Sequence, residues 1–353
     1  MAFPPARTAT RCVEIDPNHV AANFNLAVAL KTVLKDFDGA QQHYIKTTEL
    51  APYHTAAHLF LGNLLYERKE IDEAEARYRR ALELNPQLTS AHIALGILLK
   101  DARSDDEGAK RCLRRAIELD ENRVLAYIQL GMLLKKRQDY GGAEGAYRKA
   151  MELDPLNTDA HCNLGNLMAC MLKETRRVRE GDSGLFWTLV MYFDGAKKAY
   201  LEAIEIFPNH ADAHFGLANL MKDEIRKDLA MAEREYRKAI FINPNHADAH
   251  FNLANLLNDA ERKEGKDTRG VERELRHAIA INPNHAAAHW NLHLLLESRA
   301  AHDSELGGAM HEVAEFMRSG GHDGVDGKGK LAELAARKEA YEKNQSFFVQ
   351  VFL

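Results

Sequence analysis

The stretch Ala247-Asp-Ala-His-Phe-Asn-Leu-Ala-Asn-Leu-Leu257 decides the fold, because near copies of it recur along the chain about every 34 residues. Ala57-His-Leu-Phe-Leu-Gly-Asn, Ala160-His-Cys-Asn-Leu-Gly-Asn and Ala213-His-Phe-Gly-Leu-Ala-Asn align beneath it, with Pro208, Pro244 and Pro283 marking neighbouring copies. A repeat of this period means a stack of small helical units rather than a globule around one pocket. Function is then expected on an extended surface.

Each copy holds two apolar patterns of helical period. The first presents a large residue, then Leu with Gly or Ala beside it, then more Leu, as in His58, Leu61, Gly62, Leu64 and Leu65. The second runs small, aromatic, small and then proline: Ala74, Tyr78, Ala81 and Pro86, or Ala143, Tyr147, Ala150 and Pro155. Ala196, Tyr200, Ala203 and Pro208, and Ala232, Tyr236, Ala239 and Pro244, keep the same spacing. Small residues at a helix crossing let two backbones approach, and the aromatic fills the space beside them. Neither helix of a pair can bury its apolar face alone, so copies must stack. Proline lacks an N–H and disfavours helix in the residue before it, so it separates one pair from the next.

These spacings and residue sizes resemble the tetratricopeptide repeat family over roughly residues 17 to 320. The resemblance implies an all-α, right-handed α-solenoid of antiparallel helix pairs, about eight repeats long. Copies open near Pro17, Pro52, Pro86, Glu121, Pro155, Pro208, Pro244 and Pro283. In the last, His293 takes a small-residue position and the second helix reads Ala309, Val313, Phe316. Residues 1–16 read as a partial repeat, the second helix only, so the chain is expected to begin mid-array. Residues 321–353 read as a flexible Gly-rich segment followed by an amphipathic C-terminal helix. The fifth copy, Pro155 to Pro208, is 53 residues long, with its excess near 178–192. That excess is expected at the turn between its helices, where loop closure costs little. Two origins stay open: an apolar docking loop, or a retained intron.

Composition narrows the function. A net charge of −5 with interspersed signs argues against nucleic acid as a partner, and no apolar run suffices for membrane insertion. Cys12, Cys112, Cys162 and Cys170 form no paired framework and read as reduced thiols of a cytoplasmic or nuclear protein. No nucleophile, phosphate loop or cofactor motif stands out, so no enzymatic activity and no cofactor are expected. His210 and His214, His246 and His250, and His285 and His289 lie four apart, a spacing that can ligate zinc. No third ligand is evident beside them in the sequence, and packing explains the second histidine of each pair, so no metal is expected.

The candidate binding residues lie on the first helices. In the family these helices line a concave face, which implies that Asn25, Asn163, Asn252 and Asn291 form one rung and Asn63, Asn166, Asn219 and Asn255 another. Asn carries donor and acceptor together, so it pairs with the backbone of an extended peptide whatever the peptide's side chains. Asn is also a poor helix former, which makes its repeated use in helix interiors costly. The alternative is a merely polar, solvated groove. Early copies place Phe24, Leu59, Phe60, Ile93, Ile97, Ile128 and Met132 on the groove, whereas late copies place the asparagines beside Phe215, Phe251 and Trp290. The expected partner is a protein or peptide, bound by a scaffold or by a subunit of a larger complex. The Asn-rich helices look like the substrate-binding arm of O-linked N-acetylglucosamine transferases, which implies recognition of extended protein segments and, as an alternative, that the chain is the truncated arm of a larger transferase-like enzyme. Only 33 residues follow the array, so no catalytic domain is expected within this chain.

Overall fold

The computed structural model describes residues 4–178, 185–222, 227–264 and 268–296. Among them every regular element is helical, and the chain is an all-α repeat solenoid. It divides into two compact units, Met1–Leu220 and Met221–Leu353.

In the first unit α1 (Pro4–Ile15) is a single helix that packs on α2 (Val20–Ala29). Antiparallel pairs follow: α2 with α3 (Phe37–Leu50), α4 (Thr55–Glu67) with α5 (Ile71–Leu84), and α6 (Thr89–Leu98) with α7 (Asp106–Leu119). Then come α8 (Val124–Lys136) with α9 (Tyr140–Leu153) and α10 (Thr158–Val178) with α11 (Leu185–Ile206), and α12 (Ala211–Met221) ends the described run. The second unit holds α13 (Leu229–Ile242), α14 (Ala247–Glu264), α15 (Arg269–Ile281) and a helix over 286–296, here α16.

Alternating caps set where helices begin. Second helices start on aspartate: Asp36, Asp105, Asp139 and Asp228 accept the N–H of Gly39, Gly108, Gly142 and Met231. First helices start on histidine: Nδ1 of His19, His54, His210, His246 and His285 accepts the N–H three residues on. Each cap satisfies a donor with no intrahelical partner.

The core of each pair is the small–aromatic–small triplet. Ala74, Ala81, Ala143, Ala150, Ala196 and Ala203 are fully enclosed, with Tyr78, Tyr147 and Tyr200 between them. The rings press on glycines of the first helices. A Cβ on Gly62 would lie 2.7 Å from Tyr78, one on Gly131 2.6 Å from Tyr147, and one on Gly165 2.8 Å from Tyr200. Only hydrogen fits at these crossings. Charges link successive pairs on the surface: Arg68 with Asp38, Arg103 with Asp72 and Glu75, and Arg137 with Glu107.

The fifth copy corrects an expectation. Residues 185–192, expected in a turn, are the first two turns of the 22-residue α11, and α10 is lengthened to 21 residues. The excess thus extends both helices of one hairpin, because the apolar run Leu185 to Phe193 has helical period: Leu189 and Phe193 bury while Phe186, Trp187 and Met191 face out. The Gly-rich segment, the C-terminal helix and the second helix of the last copy lie outside the described residues. No described helix is long and apolar enough to cross a membrane.

Candidate peptide-binding faces

The paired histidines have a shared structural task. In each pair the first caps its helix, and the second turns Nε2 back onto the carbonyl of the proline six residues earlier. His58 meets Pro52 at 3.0 Å, His161 Pro155 at 3.0 Å, His214 Pro208 at 2.9 Å and His250 Pro244 at 3.2 Å. In the first copy Asn23 substitutes, its amide donating to the Pro17 carbonyl at 2.9 Å. A carbonyl only accepts, so each Nε2 carries the proton and the ring's lone pair is left at Nδ1. Burial around His58 pushes its pKa down, against the charged ring.

In the first unit the residues expected on the groove divide by chemistry. Phe24 and Phe60 meet edge-to-face at 5.5 Å, and Phe24 lies 5.0 Å from the His54 ring. Phe60 and Met132 stay over one-third exposed, whereas Leu59, Ile93 and Ile128 are buried in the stack and offer a partner little. Asn25 is exposed; Asn63, Asn163, Asn166, Phe215 and Asn219 are half-buried. The Tyr78 hydroxyl donates to Asn63 Oδ1 at 2.9 Å, and the Tyr200 hydroxyl to Asn166 Oδ1 at 2.8 Å. Each asparagine oxygen is thus claimed by a tyrosine, which leaves N–H groups as what these amides can still offer, and the Asn166 amide turns toward Cys162 Sγ at 3.9 Å. The tyrosines that impose it stand on the partner helices, about a repeat away in Tyr200's case, which the sequence pattern alone does not reveal.

The second unit presents Asn252 and Asn255 on α14 and Trp290 and Asn291 on α16. Asn291 Nδ2 donates to Asn255 Oδ1 at 2.7 Å, joining the rungs of successive first helices. The pair leaves two N–H donors on Asn255 and an acceptor oxygen on Asn291. Beside them Phe251 packs at 4.7 Å on the His285 ring, and Trp290 is 61% exposed.

Cysteine chemistry is muted here. Burial pushes the Cys162 thiol up to about 12, so at pH 8 roughly one molecule in ten thousand is ionised there. We expect Cys162 to resist a disulfide-exchange reagent until the protein is unfolded. Labelling of the folded chain at the rate of an open thiol, read by peptide mass spectrometry, would contradict this.

Residues 62–101 match the TPR repeat family and residues 124–157 the tetratricopeptide repeat family. Those two stretches carry tetratricopeptide repeats. No curated protein matches the chain by sequence. Among solved structures, a human IFIT1 dimer with m7Gppp-AAAA is 14% identical with a TM-score of 0.61, covering 98% of this chain and 76% of that one. The APC/C hetero-tetramer Cut9–Hcn1 is 16% identical with a TM-score of 0.59, covering 81% of this chain and 51% of that one. PilF of Pseudomonas aeruginosa is 17% identical with a TM-score of 0.51, covering 67% and 95%.

These likenesses concern the fold alone, yet they correct one expectation. Net charge argues against nucleic acid, yet a structure sharing this fold holds a capped oligonucleotide. A charge of −5 is a sum over the whole chain and does not set the potential of any one face. Net charge therefore does not exclude nucleic acid as a partner.

Proposed function

We propose that this chain is a non-catalytic interaction scaffold of the cytoplasm or nucleus that takes up partner proteins on the faces of its first helices. The first unit offers Phe24, Phe60 and Met132, suited to the apolar side of a helix or partner surface. The second offers Asn252, Asn255 and Asn291 beside Phe251 and Trp290, suited to an extended peptide. The observation that carries the reading is the Asn291–Asn255 hydrogen bond. It orients two amides so that donors and an acceptor stand side by side, as a peptide backbone presents them, next to an exposed tryptophan. Asparagines of this kind are also the ground for the likeness to the arm of O-linked N-acetylglucosamine transferases, which implies extended protein segments as ligands.

Each backbone bond contributes about 0.5–1.5 kcal/mol net. A ladder of three, with one or two aromatic contacts of about 0.5–1.5 kcal/mol each, gives affinities on the order of 100 μM. Panning a library of unstructured peptides on the purified chain tests the reading. Enriched peptides are expected to share apolar anchors at fixed spacing and little else, because the amides read backbone. A library yielding no peptide above background would sink it.

A further inference from the structure

Within the second unit, α14 and α15 bring His250, Glu274 and His277 together. One donor atom from each lies within 4.8 Å of the others. His250 Nδ1 stands 2.7 Å from Glu274 Oε2, and His277 Nδ1 stands 3.9 Å from the same oxygen. The two rings meet edge-to-face at 5.2 Å. The side chains of His250 and Glu274 are only 6% and 10% exposed, whereas His277 is 54% exposed and opens the cluster to solvent. His246, the other member of this histidine pair, caps α14 and takes no part; the residues beside His250 come from the neighbouring helix.

The tautomer of His250 makes the arrangement demanding. Its Nε2 faces the Pro244 carbonyl, which requires an N–H there. The neutral ring then aims its Nδ1 lone pair at a carboxylate oxygen. Two lone pairs at hydrogen-bonding distance repel, so an electrophile belongs between them, either a proton or a metal ion. Arg273 Nε holds the other carboxylate oxygen at 3.1 Å and fixes its orientation.

The preceding copy shows the alternative solution. Glu235 there sits one residue before the aromatic position, as Glu274 does before Leu275, and Lys238 three residues on places Nζ 3.2 Å from its carboxylate. At the place of Lys238 the next copy has His277. A permanent cation has been exchanged for a group with a coordinating lone pair.

We propose that His250 Nδ1, the Glu274 carboxylate and His277 Nδ1 bind one divalent transition-metal ion of the zinc class, with water in the remaining position. Two imidazoles and a carboxylate suit Zn²⁺, with ligand distances of about 2.0–2.2 Å. Tetrahedral angles at those lengths separate ligand atoms by about 3.3 Å. Glu274 Oε2 reaches that geometry by moving about half an ångström from His250 toward His277, a side-chain rotation. The ion ties α14 to α15.

The test titrates chelator-treated full-length chain with Co²⁺ and then Zn²⁺, alongside His277→Lys, which installs the residue of the preceding copy, and Glu274→Gln. Wild type is expected to take up one equivalent of Co²⁺ with the strong visible bands of a four-coordinate site, discharged by Zn²⁺, and to melt at higher temperature with Zn²⁺. His277→Lys is expected to keep its metal-free helicity and melting temperature while losing affinity by about 100-fold or more. Absence of a Co²⁺ band in wild type, or a loss of less than about tenfold in both variants, would overturn the proposal.

Discussion

Tyr147→Ala is expected to destabilise the first unit by about 3–5 kcal/mol, the range for deleting a fully buried aromatic. The ring is wholly buried, as are Ala143 and Ala150, and it lies against Gly131. The informative companion is Tyr147→Phe. The Tyr147 hydroxyl is buried with no hydrogen-bond partner, and burial raises its pKa far above the ordinary phenol range. Removing an unpaired buried hydroxyl is expected to be neutral or mildly stabilising. Tyr200→Phe should behave oppositely, since that hydroxyl donates to Asn166 at 2.8 Å. Its loss costs about 0.5–1.5 kcal/mol and leaves the Asn166 oxygen without that donor. Urea unfolding followed by both circular dichroism and hydrogen exchange reads these differences even where the array does not melt as one unit. Equal losses for Tyr147→Phe and Tyr200→Phe would contradict this account of the hydroxyls.

Gly216→Ala carries the second large effect. Tyr200 is held between two glycines of consecutive first helices: a Cβ on Gly216 would approach its ring to 2.4 Å and one on Gly165 to 2.8 Å. Alanine gains about 0.8–1.0 kcal/mol of helix propensity over glycine. Forcing a methyl into a filled core costs about 1–3 kcal/mol. At 2.4 Å against a ring that is itself enclosed, the clash wins, and a net loss of about 1–2 kcal/mol is expected from those two terms. Gly145 supplies the opposite sign. A Cβ there meets nothing within 4 Å, so Gly145→Ala should stabilise α9 by about 0.5–1 kcal/mol. Pairing Gly216→Ala with Tyr200→Leu, which withdraws the ring edge, is expected to recover part of the loss. Strict additivity of that pair would show that the two residues do not share the space.

The repeat itself was legible because packing leaves a dense record. The Ala74–Tyr78–Ala81 spacing and the Gly62 that receives the ring state the helix crossing almost directly, so the fold class followed. What escaped depended on partners brought by a neighbouring helix. His250 reads in sequence as a packing residue, yet its Nε2 bonds Pro244 and its Nδ1 faces Glu274 on α15. Asn63 reads as donor and acceptor, and a tyrosine hydroxyl has claimed its oxygen. The segment 185–192 lacks the repeat's spacing and so read as a turn, though its own apolar period continues α11. Net charge misled about nucleic acid because one total cannot describe a surface of many faces.

The amides of the second unit are expected to read a peptide backbone. Fluorescence anisotropy with a panned peptide, comparing wild type with Asn252→Ala/Asn255→Ala, measures this directly. Losing two such bonds is expected to weaken binding about 5- to 150-fold, with helicity and melting temperature unchanged. Binding within twofold of wild type would contradict the account and leave the asparagines as no more than a wet polar surface.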